Sequence, residues 1–337
     1  MDNINIKVIA ERLKLSTSTI SRAFNGSPDI NKDTRERILA FAKEHNFLPN
    51  HYASNLRDKK TKTLAVIVPE IVNDFFAQAI NGIEEVARQK GFYILLYRTD
   101  DVFEKEVSFI NYLNNGKADG IIMSVSGEAN DHNYIKKLEQ KHIPVVFFDR
   151  VYEDIDVSKV TTNDYESSFA ATEHLIEQGC KRIAYLVINK NISIGKVRGQ
   201  GYMDALAKHH IPFDDQLVID CSQDEKENYV IIKDALKRSQ PDGIFSSVER
   251  LALASYHVCT DMKIDVPEKL KIISFSSLHI APLLCPALST ITQPAYEMGI
   301  KAAELLFEEL ENKEAATAKK HIVLESELFI RKSSSGV

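Results

Sequence analysis

The chain has 337 residues, 44% of them hydrophobic and 27% charged, with a formal net charge of −6. That length supports two or three domains with a sizeable core, and the opening MDNINIKVIAERLKL has no apolar run of the kind a leader needs. No stretch of 18 apolar residues follows, so the expected location is the cytoplasm, with no membrane partner. Cys180, Cys221, Cys259 and Cys285 have no paired spacing, which argues against both a zinc site and a disulfide framework; they are expected to be reduced thiols.

The net charge conceals an asymmetry. Residues 1–62 hold 12 Lys and Arg against 7 Asp and Glu, and the remainder hold 30 against 41. A cationic head suits a polyanion and an acidic body resists indiscriminate adhesion, although surface charge also drifts without function. Three short helices are predicted within 1–48. Asn5 is placed to cap one carrying Ile6, Ile9, Ala10 and Leu13; Ser16 caps a second with Ile20, Ala23 and Phe24 on one face; Asn31 caps a third with Ile38, Phe41 and Ala42 inward. Leu13-Lys14-Leu15 leaves room only for a tight turn. The arrangement predicted is therefore a helix-turn-helix, whose second helix lies in the major groove of duplex DNA.

The second helix begins unusually, with hydroxyls at Ser16, Thr17, Ser18, Thr19 and Ser21. Serine and threonine are indifferent helix formers, so propensity does not account for them. With Ile20, Ala23 and Phe24 inward, Thr17, Ser18, Ser21 and Arg22 face out, where short hydroxyls reach phosphates or base edges and a guanidinium makes a bidentate contact to guanine. The competing reading is a Ser/Thr-rich cap on a small helical bundle. The run IKVIAERLKLSTSTISRAFNGSPDINKDTRERILAFAKEHNFLPNHYASNLR resembles the N-terminal domain of the LacI/GalR family of bacterial transcription regulators, through the pattern V-S-x-x-T-[VI]-S-R-x-[LF]-N-G. The resemblance continues to the C-terminus. It implies that Thr17, Ser18 and Arg22 read bases while Ser16, Thr19, Ser21 and Asn25 hold phosphates.

Residues 49–62 form the next segment. Pro49 ends the third helix and Asn50 is placed to cap another running to about Arg57. Eight residues do not hold a helix alone in water. Ala53 and Leu56 share one face, and the family resemblance implies that two such hinge helices pair in the minor groove, where Leu56 wedges into a base step. Asn50, Ala53 and Leu56 are accordingly added to the DNA-contacting set.

From Thr63 strands and helices alternate, which predicts an α/β body of two doubly wound parallel-sheet lobes. The resemblance names this a periplasmic-binding-protein-like fold, with lobe 1 at 63–161 plus 291–321 and lobe 2 at 162–290 plus 322–337. Such lobes hold small molecules at the carboxyl ends of their strands. Asn73, Phe75, Asp149, Arg198, Glu249, Ser276 and Gln293 are the candidate effector residues. Val248-Glu249 stands where the family commonly has N-D, and Ser274-Phe275-Ser276-Ser277 where it has G-[FY]-D-[DN]. The expected effector is sugar-derived. Loss of a carboxylate at Ser276 points either to a more anionic ligand or to a degenerate pocket answering to a protein partner.

Asp149 and Glu249 in one cleft leave an enzyme conceivable on paper, but the sequence has no Gly-rich phosphate loop, H-E-x-x-H, nucleophile elbow or clustered metal ligands. No catalysis, cofactor or metal is expected, and His174 and the His209-His210 pair are expected to be structural or solvated. A transport-linked solute receptor fits the body but not the basic head. The expectation is a homodimeric regulator, repressing more often than activating, that binds a pseudo-palindromic operator and a small effector.

Overall fold

Asn5, Ser16 and Asn31 each begin the helix expected of them. Asn5 Oδ1 accepts from Lys7 N and Val8 N at the start of α1 (Ile6–Leu13), Ser16 Oγ from Thr19 N at the start of α2 (Thr17–Phe24), and Asn31 Oδ1 from Asp33 N at the start of α3 (Lys32–Glu44). Lys14 turns the chain between the first two helices in the left-handed region, at φ 55°. Ile9, Ala10, Ile20, Ala23 and Ile38 form the shared core, with Leu13, Phe24 and Phe41 packed against it. Arg37 Nη2 donates to Leu13 O at 3.0 Å and ties α3 to the turn.

The computed structural model describes residues 4–24, 27–45, 47, 61–127, 131–312 and 318–335. Asn25, Asn50, Ala53 and Leu56, with nearly all of the expected hinge, lie outside the described residues. Two units are distinct, 1–62 and 63–337.

The second unit is built on two six-stranded sheets. The first runs β11 (His321–Leu324), β5 (Ser158–Thr162), β4 (Val145–Phe148), β3 (Gly120–Met123), β1 (Thr63–Val68), β2 (Tyr93–Arg98), and all its pairings are parallel. The second runs β12 (Glu327–Phe329), β10 (Ser289–Thr292), β9 (Lys271–Phe275), β8 (Gly243–Ser246), β6 (Ile183–Val187), β7 (Val218–Asp220). It is parallel apart from β12, which runs against β10. The residues of β3, β4, β6 and β8 are all buried, as apolar runs covered by helices on both faces must be. Helices α4 (Asp74–Gln89), α5 (Phe103–Leu113), α6 (Asn133–Gln140) and α11 (Ala295–Glu311) belong with the first sheet. Helices α7 (Asp164–Glu177), α8 (Ser193–Lys208), α9 (Glu225–Ser239) and α10 (Glu249–Met262) belong with the second.

Two lobe boundaries differ from the expectation. Thr290, Ile291 and Thr292 pair with β12 in the second sheet, and Ile322, Val323 and Leu324 pair with β5 in the first. The second crossing therefore falls after 292, not 290, and the third at 325–326, not near 322. Hydropathy shows that 321–330 is extended but not which sheet supplies its hydrogen bonds.

Helices α4 and α11 cross closely enough that only glycine fits at the contact. A Cβ on Gly299 would lie 2.0 Å from Ala79 O, and one on Gly82 2.1 Å from Tyr296 O. Gly299→Ala must push two backbones apart and is expected to cost about 1–3 kcal/mol. A lower midpoint of urea unfolding, with the slope unchanged, checks this.

Candidate functional site

Helix α2 presents its polar face as expected. Ser16, Thr17, Ser18 and Arg22 are exposed and Thr19 and Ser21 partly so, while Ile20 and Ala23 are fully buried. Ser16 Oγ is the hub of the N-terminal end, 2.7 Å from Ser18 Oγ and 2.8 Å from Thr19 Oγ1. These hydroxyls sit at a helix N-terminus, whose first-turn N–H groups point outward, a surface suited to phosphate oxygens. Arg22 extends from the last turn.

In the body, the seven residues expected at strand ends come together. Asn73, Phe75, Asp149, Arg198, Glu249, Ser276 and Gln293 all line one interlobe cavity of about 430 Å³, part of it open to solvent. Their roles differ. Asn73 is first of all a helix cap: its Oδ1 accepts from Phe75 N and Phe76 N, and its Nδ2 donates to Glu70. Phe75 is buried and packs edge-on against Phe76 with ring centroids 5.1 Å apart. Gln293, just past the second crossing, donates to Thr162 Oγ1 at 2.9 Å and approaches Asp149 Oδ1 at 3.5 Å.

Arg198 sits in the second turn of α8, not at a strand end, and is 2% exposed. Nε donates to Asp164 Oδ1 at 2.7 Å, Nη1 to Ser247 O at 2.7 Å, and the guanidinium lies 3.7 Å from the Phe275 ring centroid. Only Nη2 remains without a partner.

Asp149 follows β4 in the left-handed region, at φ 60°, where a residue with a side chain is strained. Burial pushes its carboxyl up to about 6, against the pull of Arg198 and Arg150 and with a push from Asp164. A carboxyl raised in the fold binds more protons than it does unfolded, so its contribution to stability is lost as pH rises from about 4 through about 6. Removing the charge removes that loss. Asp149→Asn is expected to gain about 2 kcal/mol relative to the parent between pH 4 and pH 7, in paired denaturant titrations.

Glu249, at the start of α10, brings a carboxylate beside Ser276: its Oε2 accepts from Ser276 Oγ and Ser277 N, each at 3.1 Å. Burial raises its pKa, the two serine donors oppose the shift, and Asp74 and Glu70 add to it.

Several partners were not singled out in the sequence. Asp164, which anchors Arg198, reads as any first-turn acid. Asp101 gathers Arg150 from its own lobe and Asn189 and Gln223 from the other, at 3.2 and 2.6 Å for the last two. Glu70 pairs across the cleft with Arg250. Buried Glu106 fixes the segment after β3 by accepting from Ser126 N at 2.6 Å and Ser126 Oγ at 2.7 Å, and it also takes the Tyr134 hydroxyl. His174 and His209 have partners, Ser334 Oγ and Glu173 Oε1, at 2.8 and 2.7 Å.

Comparison with known proteins is consistent with both halves. Residues 5–50 match the bacterial regulatory proteins of the lacI family, and residues 61–332 the family of periplasmic binding proteins and sugar binding domains of LacI regulators. The chain belongs to the LacI family. Among its relatives are the catabolite control protein A of Priestia megaterium, 29% identical over 90% of this chain and 92% of that protein, and the ribose operon repressor of Halalkalibacterium halodurans, 29% identical over 98% and 97%. A solved complex of the transcriptional regulator CelR with cellobiose superposes with a TM-score of 0.73 at 25% identity, covering 98% of this chain and all of that one. This LacI-family protein is thus a transcription regulator in which a helix-turn-helix DNA-binding domain precedes an effector domain of periplasmic-binding-protein fold. Among the described residues no helix is long and apolar enough to cross a membrane.

Proposed function

We propose that the protein is a homodimeric repressor that reads a pseudo-palindromic operator through Thr17, Ser18 and Arg22, grips phosphates through Ser16, Thr19, Ser21 and Asn25, and is controlled by a sugar-derived effector in the cleft. The observation that carries the DNA half is the exposed hydroxyl and guanidinium face of α2 over a core of Ile9, Ile20 and Ile38. Relatives named for the ribose operon and for cellobiose support the effector half, as do the two lobes' polar groups converging on one cavity. Asn73, Phe75, Asp149, Arg198, Glu249, Ser276 and Gln293 are the residues proposed to meet the effector.

Dimer contacts are assigned to the body. Edge strand β2 exposes Tyr93, Leu95 and Leu96 along one side of the first sheet, and Ile280 and Leu283 stand out of the second lobe. An unprotected apolar edge is a liability unless it is covered by another chain. Bonds from Glu70 and Asp101 across the cleft couple the lobes, so an effector that alters closure alters the spacing of the two DNA-binding heads. Catalysis forms no part of this reading, and the place of action is the cytoplasm.

The hinge supplies the sharpest test of the DNA half. If Leu56 unstacks a base step, Leu56→Ala weakens operator binding at least about tenfold, since the wedge is worth a few kcal/mol, and leaves the unfolding midpoint of the body unchanged. Unchanged affinity in a gel-shift titration removes the wedge from the account. The same titration repeated across salt concentrations is expected to show affinity falling steeply, as released counterions require.

A further inference from the structure

Each arginine lining the cleft already has a carboxylate of its own: Arg198 has Asp164, Arg150 has Asp101 and Arg250 has Glu70. Asp149 accepts from Ser124 Oγ and Gln293 Nε2 at 3.5 Å and lies within the pull of Arg198 and of Arg150, whose Nε is 4.0 Å away. Glu249 is held by two neutral serine donors, with Asp74 and Glu70 near enough to repel it. Charges removed from water in folded proteins are paired, and among the described residues no side-chain cation is bonded to Glu249.

The same cavity also wants acceptors. Arg198 Nη2, Arg150 Nε and Ser247 Oγ are buried without a partner, and all three residues line it. A bare metal ion would answer the carboxylates but not these donors. A sugar acid or phosphate ester, the more anionic ligand suggested by Ser276 alone, would meet guanidiniums that are already neutralised and would add charge beside the Glu249 carboxylate.

Taking the cleft as the effector site, we infer that the effector is a polyol carrying one protonated amine, the chemistry of an amino sugar, with its ammonium toward Glu249 and its oxygens toward Arg198 and Ser247. Its ammonium supplies a cation to Glu249, and its hydroxyls supply acceptors to the unpaired donors and hydrogen bonds to Asp149.

The test is calorimetric titration of the full-length protein at pH 7.5 with a matched panel. Free hexosamines (glucosamine, galactosamine, mannosamine) are compared with their N-acetyl derivatives, with the parent hexoses, and with the corresponding uronic acids and 6-phosphates. The expected result is that at least one free amine binds ten or more times tighter than its N-acetyl and parent counterparts, and that Glu249→Gln brings this ratio close to one. Tightest binding by a neutral sugar, or by an acid or phosphate, overturns the amine assignment and leaves the cleft as effector site. An undiminished ratio in Glu249→Gln overturns the placement of the amine. If no member of the panel binds, the inference falls, and the operator-binding half of the reading is judged separately by its own DNA titration.

Discussion

Arg198→Ala is expected to lower the unfolding free energy of the body by about 3–5 kcal/mol and to abolish the response to effector. The side chain is an ion-pair partner for Asp164, a donor to Ser247 O and a cation lying on the Phe275 ring, all within a site that is 2% exposed. Removing it strands a buried carboxylate at Asp164, because among the described residues no other cation is bonded to that group. Most of the cost is that stranded charge and not the worth of the pair itself. The double variant Arg198→Leu with Asp164→Asn is therefore expected to recover much of the stability while remaining unresponsive to effector. Denaturant titration measures the first property and an effector-dependent gel shift the second. If Arg198→Ala unfolds like the parent, the ion pair does not carry the stability assigned to it.

The second large effect lies on α2. If Arg22 reads a base in each half-site of a dimer, as proposed, Arg22→Ala is expected to cost about 1–3 kcal/mol per contact, and the two losses add. The loss should be specific. Affinity for the selected operator is expected to drop while affinity for random DNA, which phosphate contacts supply, stays within a few-fold. Ser18→Ala, beside it, removes a hydroxyl 2.7 Å from Ser16 Oγ and so loosens the cap as well as the contact. Arg22 is the cleaner probe because it has no cap to disturb.

How much of this was legible in the sequence depended on the kind of interaction. Caps at Asn5, Ser16 and Asn31, the buried faces of the three small helices and the doubly wound alternation of the body are local or periodic, and the sequence carries them openly. Strand-end positions also follow from alternation, which brings six of the seven cleft residues into view; Arg198 lies within a helix instead. What the chain order hid was pairing across long separations. Asp164 and Arg198 are 34 residues apart, and Asp101 meets Gln223 across 122. Nothing local marks such partners, since an acid in a first turn is expected on dipole grounds alone. Glu249 shows the same limit, since nothing local marks its bond to Ser276, 27 residues further along the chain. The placement of β10 and β11 failed for a related reason, because hydropathy specifies an extended strand but not its neighbour.

The central claim is that the cationic three-helix head reads duplex DNA and the acidic two-lobed body governs when it does so. Selection from fragmented genomic DNA by the purified full-length protein at moderate ionic strength tests it most directly. The account predicts enrichment of one motif made of two inverted half-sites, with the enrichment lost in Arg22→Ala. Uniform recovery of fragments, or a motif that Arg22→Ala recovers equally well, would contradict it.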